Sequence, residues 1–227
     1  MTQNNNSPLT ELVTKARTHY FTKPLLDDYS IECVSEKQLW EFFDPSWLYQ
    51  PKDLYLEPKK LLSQEQRDKL ARLSQANTIL QDSVLIKDLA TDTPILLFHG
   101  YQKSFDSYYM QFTAVHPDYR QRGIYSAFLE RIIGYTAALG LSTVVSCHSP
   151  VNNPVLIAKL KKNFKITALE IDGHMGINVW LTYFHNKELE SAFEFRCGHL
   201  NFSQAMVQAS YGTTEQFYKL LQTVINK

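Results

Sequence analysis

Cysteine is scarce, and the little there is builds nothing. Cys33, Cys147 and Cys197 are the three cysteines in 227 residues. They are odd in number and far apart, which excludes a disulfide framework and a cysteine-based metal site. Such usage suits a reducing cytosol, so a cytoplasmic protein without a metal is the expectation. A charge excess is also missing: 23 Lys and Arg stand against 23 Asp and Glu. A dedicated nucleic-acid binder carries a basic surplus, so no nucleic-acid partner is expected. No apolar run reaches the roughly 18 residues that would span a bilayer, so no membrane partner is expected either. The opening residues MTQNNNSPLT lack the apolar centre of a secretory leader. There is no internal repeat, and no low-complexity tract beyond Asn4 to Asn6.

Hydrophobic residues make up 44% and charged residues 20%, ordinary globular values that exclude wholesale disorder. At about 150 residues per domain, the length allows one decorated domain or two small ones. Pro8, Leu9, Leu12, Val13 and Ala16 read as an opening helix. Tyr29 to Val34 reads as a short strand. Ser35 with Gln38 makes a capping box for a helix burying Leu39, Trp40 and Phe43, stopped at Asp44-Pro45. Residues 46 to 62 read as an irregular connection, and Ser63 to Ala76 as another helix. Ser83 to Leu89 and Pro94 to Gln102 form a hairpin around Ala90 to Thr93, followed by a strand over Tyr108 to Val115. Ile124, Phe128, Leu129, Ile132, Ile133, Thr136 and Leu139 follow a helical period that Gly140 ends in the left-handed region. Leu141 to Cys147 is a strand, Pro154 to Lys162 a helix, and Lys165 to Ile171 and Ile177 to Phe184 two strands joined through Asp172-Gly173. Helices are expected at 187–195, 203–210 and 213–225. Serial hairpins with strand-helix-strand crossovers make a mixed sheet with helices on its faces.

The stretch that carries chemistry is Phe112 to Ser126, FTAVHPDYRQRGIYS. A strand ends at Val115, Pro117 blocks its extension, and Arg120-Gln121-Arg122-Gly123 leads into a helix. Free backbone N–H groups and the helix dipole make such a turn a place for phosphate, and two arginines flank it. A solvent-exposed turn of no function has the same outline.

The segment Val115-His116-Pro117-Asp118-Tyr119-Arg120-Gln121-Arg122-Gly123-Ile124 resembles the acetyl-CoA signature of the GCN5-related N-acetyltransferase (GNAT) superfamily, Q/R-x-x-G-x-G/A. Arg120 matches its first position and Gly123 its fourth. The order of elements agrees over residues 29–184 in outline. Asn152 to Phe164 is similar to the family segment N-x-x-A-x-x-L-Y-x-K-x-G-F. There Asn152, Lys161 and Phe164 match, and Asn163 stands for a glycine, tolerable because Asn enters the left-handed region.

The resemblance implies an α/β (α+β) acyl-CoA N-acyltransferase fold, a mixed, mainly antiparallel sheet of about seven strands with extra helices at both ends. It divides the chain into a tail and helix at 1–28, the acetyltransferase-like domain at 29–184, and a C-terminal helical extension at 185–227 packed on the core. It also implies acetyl-CoA as cosubstrate, held by Ala114, Val115, Arg120, Gln121, Arg122, Gly123, Ile124, Tyr125, Ser126, Asn152 and Asn153. Tyr125 departs from the small residue of the signature, with its ring expected to point away from the ligand. Asn152 has a second reading as a mere helix cap. Lys159 occupies the position of the tyrosine that often protonates the departing thiolate, so that role is not carried over.

The implied reaction is direct attack of an amine on the thioester, within a cleft between the strand at Tyr108 to Val115 and that at Leu141 to Cys147. The strand Asp106 to Phe112 holds no carboxylate inside it. Tyr109, which shares a face with Gln111 under strict alternation, and His148, just beyond the next strand, are therefore the catalytic candidates, with Asp106 and Glu57 open as loop groups. His116 and Cys147 read as structural. The partner is a small-molecule or peptide amine, with monomer and homodimer both open. A non-catalytic acyl-CoA-binding module on the same fold is the alternative.

Overall fold

The computed structural model describes residues 8–47, 80–104, 106–173 and 176–197, with Lys219 and Thr223. The helices expected at 63–76 and 203–210, most of that at 213–225, and Glu57 lie outside the described residues. Two units part after Tyr183.

The first unit is built on a sheet. Its strands are β1 (Tyr29–Cys33), β2 (Gln81–Asp88), β3 (Pro94–Ser104), β4 (Ser107–Val115), β5 (Thr143–His148), β6 (Lys165–Asp172) and β7 (Gly176–Phe184). They lie in the order β1-β2-β3-β4-β5-β7-β6. The described ladders β1–β2, β2–β3, β3–β4 and β6–β7 are antiparallel, and β4–β5 is parallel. The parallel pair requires a crossover, which α3 (Ile124–Ala138) supplies. The other helices are α1 (Pro8–Phe21), α2 (Glu36–Glu41) and α4 (Asn153–Lys161) in this unit, and α5 (Lys187–Arg196) in the second.

Period-two alternation divides the core into two layers. Val84, Ile86, Leu96, Phe98, Tyr108, Met110, Val144, Val179 and Leu181 meet Ala16 and Phe21 of α1 and Ile124, Phe128, Leu129 and Ile132 of α3. Leu85, Leu97 and Ala114 meet Leu39 of α2 and Trp47 on the other side. The two sides are called the α3 layer and the α2 layer below.

Local signals account for the element ends. Ser35 Oγ accepts from the Gln38 N–H at 3.3 Å, while the Ser35 N–H donates to Gln38 Oε1 at 3.0 Å, the expected capping box. Leu39 is fully buried as expected, but Trp40 stays on the rim, against Phe43 and Phe112. Gly140 follows α3 with φ +77°, and Asn163 follows α4 with φ 65°. In the β2–β3 hairpin the Asp88 carboxylate accepts from the N–H groups of Ala90 and Thr91 at 2.8 and 3.1 Å. In the second unit, Asn186 Oδ1 accepts from the Leu189 N–H at 3.2 Å at the start of α5, and the rings of Phe184 and Phe193 stack at 5.6 Å.

Strict alternation fails at one place on β4. Met110 pairs with Gly100 and Phe112 with the next residue back, His99, so Gln111 is an extra residue. This bulge shifts the phase of the strand. Tyr108 and Met110 face the α3 layer, but Phe112 and Ala114 face the α2 layer. The bulged Gln111 is exposed, and Phe112 takes the face beside Tyr109 that alternation would have given Gln111.

Candidate active site

β4 and β5 share a short ladder: Ser107 with Thr143, Tyr108 with Val144, and Tyr109 with Val145. From Met110 onward β4 pairs with β3 and has no β5 partner among the described residues. The two strands form a fork whose vertex lies at Tyr109 and whose open end runs toward the turn before α3. The edge of a parted strand offers unpaired N–H and C=O groups, which suits an extended ligand bearing amides.

At the open end the chain turns through a 3-10 segment, Pro117–Tyr119, capped by His116, whose Nδ1 accepts from the Asp118 N–H at 3.2 Å. His116 also packs edge-on against Trp47 and Tyr119, the structural role expected of it. The arginine heads are turned back onto the backbone. Arg120 donates to the carbonyls of Val115 and Trp47 at 3.3 and 2.9 Å, and Arg122 donates to that of Asp118 at 2.9 Å while lying over the Tyr119 ring. They brace the turn; the free donors are the main-chain ones. Gln121 and Gly123 are both left-handed, at φ 63° and 77°. Gly123 is the N-cap of α3 and offers no side-chain acceptor, so the N–H groups of the first turn, Ile124, Tyr125 and Ser126, lack an intrahelical partner. The first intrahelical bond runs from the Ala127 N–H to the Gly123 carbonyl at 3.0 Å. The dipole adds positive potential at the same point.

Along the α3 side of the fork, several polar atoms are buried without a hydrogen-bond partner among the described residues: Tyr125 Oη, Ser146 Oγ, His148 Nε2 and Asn152 Oδ1. Orphaned buried groups are costly, and a row of them marks a place where a polar ligand completes the site. Tyr125 packs its ring against the core, as its departure from the small residue requires. Asn152 heads α4 but makes no side-chain cap bond, which removes the simple capping reading of that side chain. Ala114 and Ile124 are buried, Val115 and Ser126 half-buried, and Gln121 and Asn153 exposed. These donors and acceptors fit the pyrophosphate and the amide-bearing arm of a coenzyme A thioester.

The residue that motif reasoning set aside is the most unusual one. Lys159 of α4 is fully buried. Its Nζ lies 3.2 Å from Met110 Sδ, the first β4 residue beyond the fork's vertex, and 4.4 Å from the centre of the Phe164 ring. It has no carboxylate within ion-pair distance among the described residues, and burial lowers its pKa to about 7. His148 is the last residue of β5, not a residue beyond it. Burial, with the Lys159 charge second, lowers its pKa to about 3, so the imidazole is neutral throughout the physiological range.

The two catalytic candidates named from the sequence are not brought together. His148 belongs with Lys159 in the α3 layer. Tyr109 points to the opposite side, between the rings of Tyr101 and Trp180 at 5.5 and 5.6 Å. Burial, then the neighbouring Cys147, push its hydroxyl up to about 12, so the phenol keeps its proton at neutral pH. Cys147 is itself held up at about 11 by burial and Glu170, which keeps it a thiol and fits the structural reading. Asp106 sits at the closed end of the fork, where its carbonyl accepts from the N–H groups of Ser142 and Thr143 at 2.8 and 3.2 Å.

No family model matches the sequence, and no curated protein does. Solved structures do match. The ribosomal-protein-S18-alanine N-acetyltransferase from Escherichia coli superposes with a TM-score of 0.51 at 11% identity, over 69% of this chain and 93% of that one. The spermidine/spermine N-acetyltransferase SpeG from Vibrio cholerae, in complex with manganese ions, gives 0.50 at 12% identity, over 73% and 98%. A GNAT family acetyltransferase from Elizabethkingia anophelis with acetyl-CoA bound gives 0.47 at 17% identity, over 70% and 99%. The seven-stranded sheet with its single described parallel ladder, forked beside an uncapped helix, thus has the fold of these N-acetyltransferases, the acyl-CoA N-acyltransferase fold.

Proposed function

We propose that this protein is an acetyl-CoA-dependent N-acetyltransferase that moves an acetyl group to a primary amine by direct attack on the thioester. The observation that carries the reading is the fork. β4 and β5 part after three ladder pairs and open toward the free N–H groups of α3, with unpartnered polar atoms lining one side.

The bound thioester supplies the acetyl group and a thiolate leaving group; the rest of the chemistry belongs to the chain. The N–H groups of Gly123 to Ser126 bind the pyrophosphate with the help of the helix dipole. Asn152 and the outer edge of β4 orient the pantetheine amides. A β4 N–H near the bulge polarises the acetyl carbonyl. The acceptor nitrogen attacks as the neutral amine, the C–N bond forms as the C–S bond breaks, the nitrogen releases its extra proton to solvent, and the sulfur takes up a proton. Lys159 is the group placed to give it. An ammonium of pKa about 7 is a stronger acid than a thiol of pKa about 8.5, so the transfer runs downhill. His148, held neutral, orients and does not supply that proton.

Acetyl-CoA at millimolar concentration should raise the melting temperature of the wild-type protein. Gly123→Asp should abolish the shift, because it sets a carboxylate among the phosphate donors. Nothing lies within 4 Å of the position where that side chain begins, so the fold bears only the strain of a left-handed residue. An unchanged wild-type melting temperature would sink the proposal. A shift without CoA release across a panel of amines would favour the non-catalytic acyl-CoA-binding module instead.

A further inference from the structure

The α2 side of the fork's vertex holds a feature that neither the coenzyme nor the proton on sulfur uses. Tyr109 and Trp180 stack with centroids 5.6 Å apart and planes 28° from parallel. The Trp180 indole N–H donates to the Glu170 carboxylate, so the edge of the ring is held and its face stays available to a cation. An alkylammonium already lies there: Lys103 Nζ sits 3.7 Å from the Trp180 ring centre and 5.2 Å from that of Tyr109. Lys103 makes no ion pair within 4 Å among the described residues, and its stem comes from the exposed end of β3. An aromatic face therefore holds this cation where a direct carboxylate contact does not. Beside it lies an open cavity of about 400 Å³ lined by Val145, Thr167, Ala168, Glu170, Trp180 and Thr182.

We propose that Tyr109, Trp180 and Glu170 form a seat for an alkylammonium group of the acceptor, and that Lys103 fills it until the acceptor displaces it. This rests on the acetyltransferase reading. The nitrogen in the seat is not the one that reacts. Attack on a thioester needs a neutral amine with a free lone pair, whereas an aromatic face with a carboxylate on its rim selects a charged one. The acceptor is therefore a flexible chain with two amino groups. One stays protonated on Trp180, and the other reaches past Tyr109, the last paired residue, to the gap between β4 and β5. Aromatic faces hold ammonium groups without fixing the direction of their N–H bonds, so the seat accepts chains of several lengths.

The test uses 1,4-diaminobutane, n-butylamine and propionate as probes of the full-length protein by titration calorimetry, with and without saturating CoA. Both amines, charged at neutral pH, should bind at least about fivefold more tightly than propionate, and in turnover with acetyl-CoA the diamine should show at least about fivefold higher kcat/KM than the monoamine, which cannot fill the seat and react at once. Trp180→Leu should erase that difference, Trp180→Phe should keep most of it, and Lys103→Ala should tighten diamine binding by removing the internal competitor. Equal turnover of diamine and monoamine, tighter binding of propionate, or indifference to Trp180→Leu in a protein that still melts cooperatively would each overturn the proposal. The acetyl-CoA thermal shift separates the two readings: its absence overturns the acetyltransferase assignment, while the diamine preference reports on the seat alone.

Discussion

A lysine amine surrounded by a thioether and an aromatic ring costs the fold stability in proportion to its charge. Lys159 falls from 10.5 in the unfolded chain to about 7 in the folded one. Between those values the unfolded chain binds a proton that the folded chain does not, so stability rises with pH across that window, by about 1.4 kcal/mol per unit at most. Below about pH 7 both states are protonated and the full penalty applies. Lys159→Met, of similar length and without charge, should therefore raise stability at pH 6 and flatten this rise, which urea unfolding at several pH values would show. The same substitution should lower kcat by about 100-fold or more and remove the decline of kcat expected of the wild-type above pH 7. A variant that is more stable and equally active would exclude Lys159 from the chemistry. His148, neutral above about pH 3, should leave no inflection near the ordinary histidine value.

Among the strands, β3 is closely hemmed in at Gly100. A methyl group on Gly100 would come within 2.6 Å of the Phe98 ring and 2.7 Å of the Tyr108 ring. Both rings are fully buried, and Tyr108 is fixed by its hydrogen bond to Asp82 at 2.8 Å. Gly100→Ala should destabilise the protein by about 1–3 kcal/mol, read as a lower urea midpoint with an unchanged slope. Signals of this kind divide by range. The Ser35–Gln38 box, the Gly140 stop and the left-handed Asn163 depend on a few adjacent residues, and the sequence displays them. The strand-turn-helix motif at 112–126 is equally local, and its strand, turn and helix lie where the sequence places them. The tie between Arg120 and the Trp47 carbonyl spans 73 positions, and no local pattern announces it. Lys159 is surrounded by Met110, 49 positions away, so its burial is a property of the assembled sheet and α4. Gln111 misleads because alternation carries no mark of a bulge until the partner strand is in place.

On the scale of the molecule, one carboxylate fastens the α3 layer to the sheet. Asp82 of β2 is buried and accepts from Arg17 Nε of α1 at 2.6 Å, from Tyr108 Oη of β4 at 2.8 Å, and from Tyr135 Oη of α3 at 3.0 Å. Asp82→Ala would strand two buried phenols and leave Arg17 with the Gln81 carbonyl alone, at a cost of about 2–4 kcal/mol. Thermal unfolding should show it, and Asp82→Asn should recover part, since the amide oxygen still accepts. The bulge on β4 has a different reach. Its extra residue is a half-period slip in the strand: even-numbered side chains enter one layer before Gln111 and the other layer after it. Removing that residue would not delete a contact; it would re-index Phe112 to Val115 at once, driving ring and methyl groups to the wrong side and dragging the Arg120 turn by one step. The length from Tyr108 to Gly123 is thus a fixed quantity of the architecture, less tolerant of insertion and deletion than its individual side chains are of exchange.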